Sequence, residues 1–234
     1  MRTEVSFIRT TPDGSATGKE ELVSEYHLTT PFSEETIRKL RVGDTVYLSG
    51  QAFTCRSRLQ RFVFDEGNPS PEAAKDHDLL IHVGPIMLRE GDGWRVNSFM
   101  PTSSIRFEKW GARSVRNWGL RMIVGKTTMG EETMAAMKER GCVHCSPQSV
   151  SPNLWIDSLK VEGVEYLSEL GSIEATWHLR LNELGPFVVD IDCLGNNLYQ
   201  DRKAEVDHNR EEALRKLGID PDYRYTILYE DKGN

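Results

Sequence analysis

The chain has 234 residues, with 36 acidic against 29 basic side chains, a formal net charge of −7, and a composition that is 38% hydrophobic and 28% charged. That length can bury a full core as one large domain or two small ones, and the acidic balance excludes a general nucleic-acid binder, which needs a broad basic footprint. No apolar run approaches the ~20 residues that cross a bilayer, and the start, Met1-Arg2-Thr3-Glu4-Val5, lacks a signal-like apolar stretch, so a cytoplasmic protein without membrane contact is expected.

Residues 1 to 30 are polar, turn at Pro12-Asp13-Gly14, and read as an extension holding a strand or two. Ser33 can cap a short helix carrying Ile37 and Leu40. Residues 45 to 49 alternate as a strand, and Gly50 permits a tight exit. Residues 55 to 64 set Arg56, Arg58 and Arg61 among Leu59, Phe62 and Phe64, as on a helix with one basic face. After the loop Asn68-Pro69-Ser70-Pro71, residues 79 to 83 form a short apolar strand ending in Gly84-Pro85, and 86 to 100 a hairpin or long loop. Ser103 or Ser104 can cap a helix carrying Arg106, and a second short helix spans 112 to 118. Residues 120 to 124 read as a strand with Gly125-Lys126 at its carboxyl end, and 131 to 140 as a helix stopped by Gly141. Beyond Pro152 the pattern turns to strands at 159 to 167, 174 to 181 and 186 to 193. A helix from 202 to 217 and a last strand at 225 to 229 complete the chain. The mixture predicts an α/β domain with a mixed, partly parallel sheet over 31 to 201, between an N-terminal extension, 1 to 30, and a helical one, 202 to 234.

Between Arg95 and Lys126 seven basic residues stand against one acid, Glu108, a local positive field on a negative chain. Anion sites in α/β folds gather where strands end and helices begin, and three turns fit: the stretch up to Arg56, Pro101-Thr102-Ser103-Ser104-Ile105-Arg106, and Gly125-Lys126. Lying side by side, they bring Arg56, Arg106 and Lys126 together with the Thr102 hydroxyl among them. Three cations exceed the needs of one carboxylate and suit a dicarboxylate, or a carboxylate that gains charge in a transition state. A solvated helix face is the alternative that composition alone leaves open.

The four cysteines, Cys55, Cys142, Cys145 and Cys193, lack the spacing of a disulfide scaffold. Cys142 and Cys145 form a C-x-x-C without a second pair, read as buried structural thiols, with metal or redox work as the alternative. His82 and His144, on apolar stretches, read as core histidines; Asp190 and Asp192 could bind a metal, although Asp192 suits the turn before Gly195-Asn196.

The series Val42-Gly43-Asp44-x-Val46-Tyr47-Leu48-Ser49-Gly50, Thr54-x-Arg56, Gly84-Pro85, Pro101-Thr102-x-Ser104-x-Arg106 and Gly125-Lys126 resembles the β subunit of iron–sulfur hydro-lyases, the family of the class I fumarase carboxyl-terminal domain and the L(+)-tartrate dehydratase β subunit. Leu170-Gly171, Glu174-Ala175-x-Trp177 and Asp192-x-x-Gly195-Asn196-x-Leu198-Tyr199 continue the match in order, over about residues 30 to 200. The resemblance implies the swivelling β/β/α fold and reversible hydration of a C4 dicarboxylate such as fumarate, malate or tartrate. It implies a [4Fe–4S] cluster held by a partner α subunit, with no metal ligand in this chain, and an α2β2 assembly. By the same likeness Arg56, Arg106, Lys126 and Ser104 bind substrate, Lys126 stabilises the dianion formed when a proton leaves, and Thr102 adjoins the carbon that exchanges it.

The chain departs from the family pattern at Ser57 and Gln60, where Asp and His are usual, and at Met100, Ser103 and Thr127, where glycine, threonine and glycine are usual. The Ala/Gly-rich stretch near residue 150 is replaced by Ser146-Pro147-Gln148-Ser149-Val150-Ser151-Pro152. The cations persist while their lining changes, which fits an altered substrate. The rival reading is a non-catalytic module that keeps the fold and binds an organic anion.

Overall fold

The runs Leu79-Leu80-Ile81 and Met122-Ile123-Val124 carry no polar alternate, so a strand made from them must be covered on both faces. The structure, a computed structural model describing residues 2–7, 21–149, 151–220 and 223, meets that requirement with two cores. Its elements are β1 (Arg2–Phe7), β2 (Glu21–Thr29), α1 (Glu34–Ile37), β3 (Thr45–Cys55), α2 (Ser57–Phe64), α3 (Ala73–Asp76), β4 (Leu79–His82), β5 (Ile86–Glu90), β6 (Gly93–Ser98), α4 (Glu108–Asn117), β7 (Met122–Val124), α5 (Glu131–Arg140), β8 (Val143–Pro147), β9 (Leu159–Glu165), α6 (Leu167–Leu170), β10 (Thr176–Ile191) and α7 (Leu198–Lys216).

The main sheet has eight strands in the order β1-β2-β3-β4-β7-β8-β10-β9, with β3 also paired to β10. The segment β3-β4-β7-β8 is parallel, and β10 runs antiparallel to both β8 and β3, so the hydrogen-bonded path β3-β4-β7-β8-β10 returns to β3 and closes a ring. The sheet is thus mixed and partly parallel, as the element pattern predicts. Strand alternation separates the cores: Leu79, Ile81, Met122 and Val124 join Val46, Leu48, Leu179 and Val189 on one side. Leu80 and Ile123 face the other side, where Leu59 and Val63 of α2, Val115 of α4 and Ala136 and Met137 of α5 cover them.

Three expectations change. The strands at 174 to 181 and 186 to 193 are one strand, β10, which absorbs register shifts after Leu181 and Leu184 instead of turning back. Gly50 does not end its strand: at φ +96° it sits inside β3, and an added Cβ would lie 2.4 Å from Thr30 Oγ1. The boundary drawn at residue 30 falls within the sheet, because β2 pairs in parallel with β3, from Glu25 opposite Thr45 to Thr29 opposite Ser49. The chain divides into a unit from Met1 to Leu198 and a second from Tyr199 on, which contains most of α7. The strand expected at 225 to 229 lies outside the described residues. Among the described residues no helix is long and apolar enough to cross a membrane.

Candidate active site

The parallel register aligns the carboxyl ends of β3, β4 and β7: Cys55 lies opposite His82, and Ile81 opposite Val124. The ends of β3 and β7 release two of the predicted turns at the same edge, and the third, reached after the β5-β6 hairpin, bonds back to the end of β4. Arg56 follows β3 directly and is the N-cap of α2, but has no side-chain oxygen for capping. Glu174 supplies it: Oε2 accepts from the Arg58 backbone N–H at 2.8 Å, and Oε1 lies 3.4 Å from Arg56 Nε. Arg56 Nε is buried without a hydrogen bond. The guanidinium lies across Gly84, just past β4, where an added Cβ would sit 2.5 Å from Arg56 Nη1. Gly84 is therefore the floor of the Arg56 side chain.

The next turn is stitched between β4 and β7. Thr102 donates its backbone N–H to the His82 carbonyl at 2.7 Å and its hydroxyl to the same oxygen at 3.4 Å. Lys126 N–H donates to the Thr102 carbonyl and Ser104 N–H to the Lys126 carbonyl, both at 2.8 Å. These bonds hold the two turns as a short parallel pair beyond the ends of the strands. Arg56, Thr102 and Lys126 thus share one edge of the sheet. Arg106 follows on the 3-10 turn at 104–107 with its side chain exposed. The side chains of Arg106 and Lys126 make no hydrogen bond or ion pair with another described residue, which leaves both charges available to an anion.

Ser104 does something different from what the resemblance implies. It is fully buried, and its hydroxyl lies between two imidazoles, 2.9 Å from His82 Nδ1 and 2.8 Å from His144 Nε2. That hydroxyl is committed to the two rings inside the protein. Nor do Ser103 and Ser104 cap the following turn, where no side-chain cap bond forms. His144 Nδ1 lies 2.5 Å from Asp190 Oδ1, and Ser146 Oγ contacts Asp190 Oδ2 and, at 3.0 Å, the Thr127 carbonyl. His82, Ser104, His144, Asp190 and Ser146 are all buried, so one polar chain runs through the core beneath the two turns. Burial, helped by the neighbouring His144, pushes the His82 pKa well below its usual value, so this ring stays neutral.

The core assignment of His82 and His144 agrees with their burial, but their coupling to Ser104 is not evident from the sequence. The available signal was polar residues at fully apolar strand positions, His82 after Leu79-Leu80-Ile81, His144 between Val143 and Cys145, and Asp190 between Val189 and Ile191, each of which needs a partner once buried. Asp192 serves its turn, accepting from Leu194 N, Asn196 N and Asn196 Nδ2. Gln60 is buried and donates to Ser114 of α4 at 3.1 Å, so at this departure from the family pattern the side chain lies in the contact between α2 and α4.

All four cysteines are buried free thiols. Cys142 and Cys145 belong to opposite cores, so extended backbone directs their sulfurs to opposite faces of the sheet. Burial pushes the thiols of Cys55, Cys142 and Cys145 well up and that of Cys193 up to about 11, against the thiolate that metal ligation needs.

Comparison with known proteins gives the family of the chain. The family described as Fumarase C-terminus matches residues 3–202. The chain is 32% identical over 197 residues to the L(+)-tartrate dehydratase subunit beta of Escherichia coli (strain K12), covering 81% of this chain and 94% of that one. It is 36% identical over 176 residues to a candidate class I fumarate hydratase of Geobacillus stearothermophilus, covering 74% of this chain but only 33% of that protein's length. A candidate L(+)-tartrate dehydratase subunit beta of Methanocaldococcus jannaschii is 30% identical over 186 residues. With the matched region spanning the sheet and every turn that carries a candidate residue, the chain belongs to the fumarase carboxyl-terminal family.

Proposed function

We propose that this chain is the β subunit of a hydro-lyase that reversibly adds water to the double bond of a C4 dicarboxylate, of the fumarate, malate or tartrate kind, together with an α subunit. The observation that carries this reading is the single sheet edge shared by Arg56, the Thr102 hydroxyl and Lys126, with Arg106 on the turn that follows. Arg56 and Arg106 grip the substrate carboxylates through charge-assisted hydrogen bonds. The Lys126 ammonium stabilises the extra charge on the carboxylate when the neighbouring carbon loses its proton. Thr102 adjoins that carbon, but a lone hydroxyl is a poor base, so a carboxylate of the α subunit completes the proton transfer. The α subunit holds the [4Fe–4S] cluster, which supplies Lewis-acid chemistry when bound. The four thiols of this chain do not fit that group, being buried on separate faces. The natural assembly is α2β2, to be checked by native mass measurement.

The test is anaerobic co-expression with a candidate α subunit and assay of fumarate, malate, tartrate and mesaconate. Turnover of at least one acid is expected, and Arg106→Ala removes charge-assisted contacts of about 1.5–3 kcal/mol each, a loss of roughly 10- to 150-fold in kcat/KM. Near wild-type kcat/KM in that variant refutes the role of Arg106. The engagement of the Thr102 hydroxyl with the His82 carbonyl favours a second reading, an organic-anion-binding module without turnover. Anion binding by the isolated chain with no activity beside any partner would establish it.

A further inference from the structure

We propose that His144, held by Asp190 and joined through Ser104 to His82, is a positioning residue: the four side chains form a buried strut that fixes the paired turns presenting Thr102 and Lys126. The inference rests on the reading of those two residues given above.

The proton order along the strut follows from its chemistry. An ionised carboxylate only accepts hydrogen bonds, so His144 Nδ1 carries a proton and donates it to Asp190 Oδ1 at 2.5 Å. In the tautomer with Nε2 unprotonated, His144 presents that nitrogen as an acceptor, and Ser104 Oγ donates to it at 2.8 Å. Ser104 has one hydroxyl proton, so its second bond must be accepted, and His82 Nδ1 donates it at 2.9 Å. The remaining nitrogen of His82, Nε2, is left as an acceptor, and it is buried with no partner. Neutral His82 is what this order requires, and its burial keeps it so.

Carboxylate, imidazole and serine hydroxyl in this order resemble a hydrolase triad, but the serine cannot be a nucleophile. Ser104 is fully buried, and an added Cβ on Gly125 would lie 1.8 Å from its Oγ, so the backbone closes over the hydroxyl. What the strut does reach is the site's backbone. His82 accepts both bonds of Thr102 at its carbonyl while its ring holds Ser104, and the Ser104 N–H in turn holds the Lys126 carbonyl. At the far end Ser146 Oγ stands between two acceptors, Asp190 Oδ2 and the Thr127 carbonyl, one residue beyond Lys126, and its single proton serves one of them at a time. Both turns are therefore clamped to the same rigid line of side chains, in the manner of supporting shells that orient reacting groups.

A geometric strut and a charge relay differ in their response to Asp190→Asn. An asparagine can accept from His144 Nδ1 with its oxygen and donate to Ser146 with its amide, so every link survives without the charge. Asp190→Ala and Ser104→Ala break the chain. Residue-resolved amide hydrogen exchange on the full chain reads the result directly. Exchange at the Thr102 and Lys126 amides is expected to rise at least about tenfold in the two alanine variants, to stay within about threefold of wild type in Asp190→Asn, and to be unchanged between β9 and β10, where global unfolding would show. Measured beside an α subunit at a fixed interval below each melting temperature, Ser104→Ala is expected to lower kcat at least about tenfold with KM within about twofold. Unchanged exchange at Thr102 and Lys126 in Ser104→Ala, or Asp190→Asn behaving as Asp190→Ala, overturns the proposal. Failure of the wild type to turn over any of the four acids defeats the hydro-lyase reading instead, and the exchange comparison still decides the strut.

Discussion

Gly84→Ala separates binding from stability at the candidate site. An added Cβ would lie 2.5 Å from Arg56 Nη1, 2.8 Å from Arg56 Cδ and 2.7 Å from Ile173 Cγ2, all below any ordinary contact distance. Two of these atoms belong to a flexible arginine that has no hydrogen bond at Nε, and the third is a methyl on a half-exposed isoleucine. The side chains can therefore swing away, and the fold should lose less than about 1 kcal/mol, well under the cost of overpacking a closed core. The guanidinium leaves its position in doing so. If Arg56 makes two charge-assisted bonds to a substrate carboxylate, losing even one costs about 1.5–3 kcal/mol, or roughly 10- to 150-fold in kcat/KM. Thermal melting of the purified chain and steady-state kinetics of the complex give the two numbers. A variant that melts with the wild type yet keeps full kcat/KM would show that Arg56 does not touch the substrate. One that unfolds instead would show the packing argument to be wrong.

Glu108 caps the start of α5 from outside the helix, accepting from Gly130 N at 2.7 Å, Thr133 N at 3.1 Å and Thr133 Oγ1 at 2.7 Å. Glu108→Ala should cost about 2 kcal/mol, a drop of roughly 4–8 °C in Tm, and an unchanged melting curve would refute the capping role. Thr127 stands at φ +64°, a left-handed conformation that burdens a β-branched residue, where the family resemblance has glycine. Thr127→Gly should raise stability by about 1 kcal/mol after the added backbone entropy, read as a higher urea midpoint; a lower midpoint would show that the Thr127 hydroxyl matters more than the strain. His82 titrates near pH 6.5 when unfolded but stays neutral when buried, so its contribution is complete above that pH and declines as pH falls, with a limiting slope of about 1.4 kcal/mol per unit. His82→Gln should flatten urea stability between about pH 6.5 and 5.5; profiles parallel to wild type would contradict this. His27, whose pKa is raised chiefly by its hydrogen bond to Glu183, acts in the opposite sense, its contribution being complete below pH 6.5 and lost as pH rises through the higher folded value.

The strand ends were legible because apolar triplets stop at glycine or histidine, and a parallel sheet brings those stops to one edge. Arg56, Arg106 and Lys126, with the Thr102 hydroxyl, could be grouped before any coordinate because each lies on a turn between a predicted strand and a helix. The partners that cross the sheet were not legible. Glu183 and Gly185-Pro186 read as a break, yet both halves of β10 pair with β3, and that shared neighbour carries the strand through a residue at φ +49°. Ser104 read as a cap because local sequence shows only the backbone it could bond; His82 and His144, 22 and 40 residues away, compete for its hydroxyl and win. Residues 21 to 29 read as an appendage because their polarity hides their partner, and only the parallel pairing with β3 makes them part of the sheet.

Closure of the ring by β3 and β10 has a consequence for how the protein is made. The strands that meet there lie at Thr45–Cys55 and Thr176–Ile191, and the turns bearing Gly84, Thr102 and Lys126 all belong to the chain between them. Such distant pairing makes the nucleus slow to gather, and at about 5–20 residues per second the ribosome releases the closing strand only after the other four have waited some seconds. Until then Leu79, Ile81, Met122 and Val124 lack the cover of β10 on their inner face. The nascent chain is thus most exposed to self-association during that interval, and yield in cells should depend on chaperone supply more steeply than the stability of the finished protein would suggest.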